Sequence, residues 1–216
     1  MYLPSHFEER RPDVLQALVL DHPLGLLVTQ DAQGGLAANS MPFLHDPGRG
    51  PHGTLRAHVA RGNPVWREAR TDAPALVVFQ GPQAYVSPNW YASKADAGKV
   101  VPTWNYVMVQ ARGRVRFIDD AAWLRGLVGE LTLRHEAAQP HPWQVEDAPA
   151  DYVAAMLKAI VGIEIELESL VGKWKVSQNK NAADREGIAQ GLGAHHSQEA
   201  VALARQVRQP GARNGQ

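Results

Sequence analysis

A run of aromatic and proline residues between two apolar segments constrains the fold of this chain most strongly. Residues 79–106 read FQGPQAYVSPNWYASKADAGKVVPTWNY and hold Tyr85, Trp90, Tyr91, Trp104 and Tyr106. Rings of this size stabilise a fold most when their apolar area leaves water. We therefore predict a long loop that covers something, either a bound ligand or the end of a barrel.

The segments on either side of this loop are predicted to be buried strands. Residues 75–79 (ALVVF) and 107–111 (VMVQA) are short apolar runs of strand-forming residues. Long loops without secondary structure of their own are uncommon in compact domains, and they are often functional. The aromatic stretch is thus predicted to be a functional loop between two strands.

Composition limits the class of protein. A chain of 216 residues can bury one sizeable core, with or without a small appendage. It has no run of eighteen apolar residues and no apolar leader, so we expect a cytoplasmic protein without a membrane span. The absence of cysteine excludes disulfides, thiolate metal sites and a cysteine nucleophile.

Charge bears on the choice of partner. The 22 basic residues equal the 22 acidic residues in number. Proteins that bind nucleic acid usually carry a positive surplus that neutralises phosphates. The total charge therefore gives only weak support for DNA as a partner, although it does not exclude a basic face on one side of the protein.

Hydrophobic periodicity divides the rest of the chain into helices and strands. Few strands are separated by helices of crossover length, which favours an antiparallel sheet that closes on itself. The predicted fold is mainly β, an antiparallel β-barrel with peripheral helices (domain 1–180), a helical C-terminal segment (181–208) and a flexible tail (209–216). The predicted helices are 11–21, 65–70, one from Asp119 or Asp120 through Leu131, 148–159, 182–192 and 198–207. The predicted strands are 24–29, 36–44, 54–60, 75–79, 107–118 and 162–179.

Alternation is clearest in the strand that begins near residue 162. Apolar residues occupy positions 163, 165 and 167, and Glu164, Glu166 and Glu168 lie between them. A period of two indicates a strand with one buried face. We predict that the three glutamates form the solvated face.

Two basic clusters could bind an anion. Arg61 and Asn63 stand just before a predicted helix N-terminus, where free N–H groups and a guanidinium could hold phosphate, although a turn with a surface arginine explains them equally well. Lys173, Lys175 and Ser177 alternate along an extended strand. Like charges at this spacing repel unless an anion lies between them, although lysines that protect a solvated edge strand are an alternative.

The aromatic stretch supplies a third cluster of polar and aromatic groups. Aromatic walls with small hydrogen-bonding groups suit a flat heteroaromatic ligand. Together with the two basic clusters they indicate a nucleotide-like cofactor with a phosphate and a planar ring, and we predict no metal site. The third cluster consists of Ser87, Trp90, Tyr91, Lys94, Thr103, Trp104 and Asn105.

Five motifs spread along the chain resemble those of the PaiB family of FMN-binding negative transcriptional regulators, which are relatives of the pyridoxamine phosphate oxidase-like split β-barrels. The motifs are MYLPSHF (1–7), HVARGNP (58–64), FQGPQAYVSPNWY (79–91), VPTWNY (101–106) and GKWKVSQN (172–179). The resemblance implies a split barrel that forms a homodimer with FMN in clefts at the subunit interface. It implies that Arg61 and Asn63 approach the ribityl phosphate.

On the same resemblance, residues 87–91 and 103–106 line the flavin, and Lys173, Lys175, Ser177 and Gln178 approach from a neighbouring strand of either subunit. The full set of expected FMN contacts is His58, Arg61, Asn63, Ser87, Trp90, Tyr91, Lys94, Thr103, Trp104, Asn105, Lys173, Lys175, Ser177 and Gln178.

The chain departs from the family pattern at two positions. Ser40 stands where a histidine is expected before the proline of the second strand, and Gly62 stands where alanine is more usual. Three functions stay open: an FMN-binding regulator, a flavin-dependent oxidoreductase of unknown substrate, and a structural dimer whose cleft is empty or holds haem. For the oxidoreductase, no residue is an obvious acid or base. For the haem-binding dimer, His58 is the histidine on a predicted strand within a motif that could ligate iron.

Overall fold

The computed structural model of the chain describes residues 1–211. From residue 212 onward, the predicted tail lies outside the described residues. The described chain divides into two compact units. The first contains Met1–His22, Phe79–Gln110 and the described part of Val171–Gln216, and the second contains Pro23–Val78 and Ala111–Leu170. Within residues 1–211, no helix combines the length and the apolar character needed to cross a bilayer.

Eight strands form one sheet in the order β3-β2-β6-β7-β8-β5-β4, and β1 pairs with β8. The registered pairs β1–β8, β2–β3, β2–β6, β4–β5 and β5–β8 are antiparallel, as predicted. The strands are β1 (Glu8–Glu9), β2 (Leu24–Gln30), β3 (Leu36–Pro42), β4 (Leu44–Asp46), β5 (Thr54–Ala60), β6 (Pro74–Val86), β7 (Thr103–Ile118) and β8 (Ile160–Lys175).

The strand order has two ends, so the prediction of a sheet closed on itself is wrong for the described residues. The end strands explain this. Pro42, which lacks an N–H donor, ends β3. The strand at the other end, β4, has only three residues. The short β4 therefore offers little ladder for further pairing at its edge of the sheet.

Seven helices are described, and the two C-terminal ones agree with the predicted helical segment. Asp120 caps α4 as predicted, because its side chain accepts a hydrogen bond from the Trp123 N–H. The helices are α1 (Pro12–Asp21), α2 (Val65–Glu68), α3 (Lys94–Ala97), α4 (Ala121–Glu136), α5 (Ala150–Lys158), α6 (Ala182–Gly193) and α7 (Gln198–Arg208).

Helix α2 is shorter than the predicted helix 65–70. After Glu68 the chain returns to the sheet, where Ala69 bridges Asp31 and the Arg70 N–H donates to the Gln30 carbonyl. Pairing with the sheet therefore ends the helix after four residues. A helix this short has few aligned peptide dipoles, so the predicted phosphate site at its N-terminus loses its main physical basis.

The aromatic stretch is less of a loop than predicted. Strand β6 continues through Gly81 and Pro82 to Val86, and β7 already begins at Thr103. Glycine suits position 81 of this strand, because the Cβ of any other residue would lie only 2.6 Å from Val107 Cγ2. The remaining connection, residues 87–102, contains a 3₁₀ turn at Pro88–Trp90 and the short helix α3, so it has secondary structure of its own.

The alternation in β8 is confirmed on its apolar side, and Glu166 and Glu168 are exposed as predicted. Glu164 is the exception, since it is buried. It accepts hydrogen bonds from Arg49 Nη1 at 3.0 Å and from Arg116 Nη2. Burial alone would raise the pKa of Glu164, but these two guanidinium groups outweigh it and lower the pKa. Two guanidinium groups thus stabilise a buried carboxylate at a position where the alternation predicts a solvated one.

Candidate functional site

A pocket of about 170 Å³ in the first unit is the place where the expected cofactor residues converge, and we call it the Lys175 pocket. Five residues of the expected FMN set line it: Tyr91, Thr103, Asn105, Lys175 and Ser177. Four further residues complete the lining: Phe7, Val101, Asn179 and Lys180.

Two strand ends and one turn shape this pocket. Thr103 and Asn105 are alternate residues at the start of β7, and Lys175 ends β8. The chain then turns at Ser177, whose φ of 63° is the only positive value at a non-glycine residue within 1–211. Lys180 N donates to the Ser177 carbonyl at 3.0 Å and closes the turn. Such a backbone is strained for serine, and strain of this kind is often found at functional sites.

Lys175 lies at the centre of the polar contacts in the pocket. Its Nζ donates to Thr103 Oγ1 and to the Trp104 carbonyl, both at 2.8 Å. Burial lowers the pKa of Lys175, Tyr106 opposes that shift, and Lys173 adds to it. The lysine is therefore a partly desolvated cation that gains from any anion placed beside it.

Within residues 1–211, no acidic residue forms a salt bridge with the lysines in and beside this pocket. Lys173 Nζ donates to the Tyr2 carbonyl at 2.9 Å and lies 5.4 Å from the centre of the Tyr106 ring. Lys180 Nζ lies 5.3 Å from the centre of the Tyr91 ring. In residues 1–211 every salt bridge has an arginine as its cation, so Lys173, Lys175 and Lys180 form none. Three unpaired lysines form a local positive region in a chain without net charge.

Other expected residues of the first unit have local partners instead of lining the pocket. Ser87 Oγ accepts from the Asn89 N–H and caps the 3₁₀ turn, and Lys94 Nζ donates to Asn89 Oδ1. Gln178 folds back on its own turn, where its side chain accepts from Val176 N and donates to the Trp174 carbonyl. These side chains stabilise the segments that carry the pocket.

The two tryptophans of the expected set face different surroundings. Trp90 packs on α6, where a Cβ at Gly191 would lie 2.3 Å from its indole. Trp104 is half exposed, forms an edge-to-face pair with Tyr85 at 6.4 Å, and donates from Nε1 to Gln83. Trp90 thus joins the packing of the C-terminal helices, whereas Trp104 stays on the surface.

The remaining expected residues lie in the second unit. Arg61 pairs with Asp119 through both terminal nitrogens and donates to the carbonyls of Lys158 and Ile160. Four of its five N–H donors are therefore already used. The Asn63 side-chain oxygen accepts from the Val65 N–H at the first residue of α2.

Asn63 also donates from Nδ2 to Asn39 Oδ1 at 2.7 Å. His58 lies on β5 opposite Gly162, and its buried Nδ1 has no hydrogen-bond partner within residues 1–211. Burial lowers the pKa of His58, so its imidazole is held neutral.

Sequence reasoning did not identify four residues that line the pocket. Phe7, Val101 and Asn179 lie within the family motifs, which was a signal that could have included them. On a continuous strand, Lys180 would lie on the opposite face from Lys173 and Lys175. The left-handed backbone at Ser177 brings Lys180 to the pocket. A positive φ is expected at glycine and not at serine, so the sequence does not predict this turn.

Comparisons with known proteins agree with the fold and with the motifs. A family model described as "Putative FMN-binding domain" matches residues 1–169. The chain is 30% identical to the Protease synthase and sporulation protein PAI 2 of Bacillus subtilis, over 94% of this chain and 95% of that protein. It is 32% identical to an uncharacterized protein of Aspergillus fumigatus, over 98% of each chain.

A solved structure with a similar fold is that of the FAD and heme binding protein from Mycobacterium smegmatis. The TM-score is 0.54 at 19% identity, and the match covers 85% of this chain and 80% of that one. At this level of identity the likeness concerns the fold, an antiparallel sheet with helices.

Proposed function

The chain belongs to the PaiB family of FMN-binding split-barrel proteins, and on that premise we propose that it binds FMN through the Lys175 pocket and acts in the cytoplasm as a negative transcriptional regulator. One observation carries the site assignment: Lys175 and Lys180 line a pocket without any carboxylate, beside the buried ring of Tyr91. Cations suit a phosphate, and aromatic walls suit a planar ring.

The residues present fit this cofactor chemically. Ammonium, hydroxyl and amide groups surround a volume of about 170 Å³. Pockets that enclose a drug-sized ligand measure about 300–1,000 Å³, so the Lys175 pocket would hold one part of FMN. We propose that a second copy of the chain covers the remainder, which makes the homodimer the binding form. When bound, FMN supplies one- and two-electron redox chemistry, and the chain binds and orients it.

The regulatory role is supported by the family and by the lining of the pocket. Within residues 1–211 no carboxylate or histidine lines it, and the lining side chains that could transfer a proton are Tyr91, Lys175 and Lys180. Such a site suits ligand sensing better than proton transfer. Gel-shift titration against the DNA upstream of the protein's own coding sequence, with and without FMN, tests this role. Binding that FMN changes supports it, and equal binding to unrelated DNA contradicts it.

The cofactor assignment has its own test. We expect flavin absorption bands that co-elute with the purified protein, and saturable binding when FMN is added to stripped protein. Lys175→Ala should weaken FMN by about 10- to 100-fold, the effect of a charge-assisted hydrogen bond of about 1.5–3 kcal/mol. Lys158→Ala removes an exposed lysine outside the pocket and should leave the affinity unchanged. Equal losses in both variants would indicate a general charge effect instead.

A flavin-dependent oxidoreductase is the second candidate, and the partly desolvated cation favours it. A lysine beside a flavin stabilises the negative charge that reduction develops, and its own lowered pKa then rises. Stopped-flow mixing with a reduced nicotinamide cofactor tests this candidate. Fast bleaching of the flavin band favours an oxidoreductase, and a stable oxidised spectrum favours the regulator.

A further inference from the structure

We propose that a second pocket, between the β2–β3 hairpin and α2, binds a small organic cation, namely a primary alkylammonium compound that also carries a neutral oxygen such as a hydroxyl. We call it the Thr29 pocket, and its volume is about 390 Å³. It lies wholly within the second unit and shares no lining residue with the Lys175 pocket. The proposal therefore goes beyond the FMN assignment and does not depend on it.

The charged groups of the Thr29 pocket are acidic. Asp31 and Glu68 line it, and no lysine, arginine or histidine of residues 1–211 does so. Neither carboxylate forms a salt bridge within the described residues. A lining of this kind attracts a cation and repels an anion. The pocket beside α2 is thus the electrostatic opposite of the phosphate site that the sequence predicted there.

The hairpin turn holds the Asp31 carboxylate in place. Its Oδ1 accepts hydrogen bonds from the N–H groups of Gln33 at 2.8 Å and Gly35 at 2.7 Å. Its Oδ2 accepts none within residues 1–211, and any residue other than glycine at position 35 would place a Cβ against it. One oxygen of a fixed carboxylate is therefore left to accept from a ligand.

Thr29 is an independent sign of a ligand. It pairs with Ala37 on β3 and is only 4% exposed, yet its hydroxyl forms no hydrogen bond within residues 1–211. The hydroxyl is not enclosed by protein atoms, so it faces the pocket that Thr29 lines. Burying a hydroxyl without a partner costs free energy, and valine would give the same shape without that cost. A ligand that donates to Thr29 offsets the cost.

Two asparagines add hydrogen-bond donors to the lining. A backbone N–H can only donate, so the Val65 N–H fixes the oxygen of Asn63, and Asn63 Nδ2 then donates to Asn39 Oδ1 at 2.7 Å. Both side-chain oxygens are used, whereas Asn39 Nδ2 keeps two hydrogens and Asn63 Nδ2 keeps one. These N–H groups suit a neutral oxygen on the ligand, because a carboxylate there would meet the repulsion of Asp31 and Glu68.

The remaining walls favour an organic cation over a metal ion. Leu36, Ala38 and Val65 give the pocket apolar surface that can pack against methylene groups. A calcium ion needs six to eight oxygen ligands, and no cluster of three or more acidic or histidine side chains suited to a metal occurs in the described part of the chain. An ammonium group has three N–H donors, which match Asp31, Glu68 and Thr29. The volume lies in the range of about 300–1,000 Å³ that is usual for small-molecule sites.

The test is calorimetric titration of the full chain at pH 7 with three compounds of equal chain length. The compounds are 4-aminobutan-1-ol, butane-1,4-diol and 4-hydroxybutyrate, which carry a cationic, a neutral and an anionic end group. We expect the amino alcohol to bind at least about tenfold more tightly than the diol, the effect of one hydrogen bond between charged groups, and 4-hydroxybutyrate not to bind.

Three variants assign the binding to this pocket. Thr29→Val should weaken the amino alcohol about tenfold, and Thr29→Ser should restore its affinity. Thr29→Val should also melt at a temperature at least as high as the parent protein, because it removes a buried hydroxyl without a protein partner. Glu68→Gln should weaken binding about two- to fivefold, since Glu68 is exposed. Glu199→Gln removes an exposed carboxylate outside the pocket and is the matched control, which should leave the affinity unchanged.

The opposing outcomes are distinct. Equal affinities for the amino alcohol and the diol, or tighter binding of 4-hydroxybutyrate, would overturn the cation site. Absence of saturable binding by all three compounds at millimolar concentrations would also overturn it. A Thr29→Val variant that melts lower and binds the amino alcohol unchanged would show that the hydroxyl serves the fold and would remove this pocket as the site. None of these results bears on FMN binding, which is tested separately.

Discussion

At the scale of single residues, Lys175 determines how the candidate site responds to pH. Burial lowers its pKa from the ordinary lysine value, and within residues 1–211 it has no acidic partner to reverse that shift. A lysine with a lowered pKa loses its proton at a lower pH than an exposed one. Its attraction for an anion is therefore lost earlier as the pH rises.

We expect the affinity for FMN to fall as the pH rises from 7 toward 10, beginning below the ordinary lysine pKa of 10.5. The phosphate is already dianionic over this range, so its own titration contributes little. Lys175→Arg keeps a cation throughout and should flatten the curve. Fluorescence titration of both proteins at half-unit pH steps measures this. Parallel curves for the two proteins would assign the pH effect to another group.

His58 sets a second pH dependence, that of stability. Burial lowers its pKa, so between its folded pKa and 6.5 the unfolded chain binds a proton that the folded chain does not. The free energy of unfolding should therefore fall as the pH decreases below about 6.5, by at most about 1.4 kcal/mol per pH unit for one proton. Urea unfolding from pH 7.5 to pH 5 checks this. His58→Gln should reduce the slope, and exchange of the exposed His141 for glutamine should not.

Five residues of the pocket could be named from the sequence, because the aromatic stretch and the family motifs mark Tyr91, Thr103 and Asn105. Alternation along a predicted strand marks Lys175 and Ser177 as well. Lys180 could not be named, since its position depends on one backbone angle at Ser177. The partner of Arg61 was equally hidden, because Asp119 is 58 residues away along the chain.

At the scale of elements, local signals predict a helix or strand well when nothing distant competes. The predicted helix 11–21 corresponds to α1, and the helix after Asp120 to α4, because caps and apolar stripes are local. The predicted strand ends at Phe79, because Gly81 and Pro82 usually end strands, whereas β6 continues to Val86. Packing of Gly81 against Val107 overrides that preference.

Glu164 on β8 gives a prediction about one buried ion cluster. Glu164→Gln removes the charge that Arg49 and Arg116 share, and should lower the free energy of unfolding by about 1–3 kcal/mol. Glu168→Gln is the matched control on the same strand, since Glu168 is exposed and 3.5 Å from Arg114. Its effect should stay below about 0.5 kcal/mol. Equal urea midpoints for the two variants would contradict a structural role for Glu164.

Helix α6 and Trp90 give a prediction about packing. A Cβ at Gly191 would lie 2.3 Å from the Trp90 indole, so Gly191→Ala should lower the free energy of unfolding by about 1–3 kcal/mol. Gly129 on α4 has no atom near its Cβ position, and Gly129→Ala should instead raise it by about 0.5–1 kcal/mol. Thermal melts of both variants decide this, and stabilisation by Gly191→Ala would mean that Trp90 does not pack on α6.

At the scale of the whole molecule, charge is balanced in total but not in distribution. The 22 cations equal the 22 anions in number, yet every salt bridge within residues 1–211 uses an arginine. The lysines of the Lys175 pocket are left with a surplus of positive charge, which the composition alone could not reveal. This surplus should make the molecule more stable when a bound anion offsets it.

FMN should therefore raise the melting temperature of the stripped protein. A ligand at 100 times its Kd stabilises the folded state by about 2.7 kcal/mol. For a domain of about 200 residues this corresponds to roughly 5–10 °C, and riboflavin at the same concentration should give a smaller shift. If the homodimer is the binding form, the shift should also grow with protein concentration, because association stabilises the same state. Melting curves at two protein concentrations, with light-scattering masses, measure both effects. A shift with FMN that does not depend on protein concentration, at a monomer mass, would place the whole cofactor site within one chain.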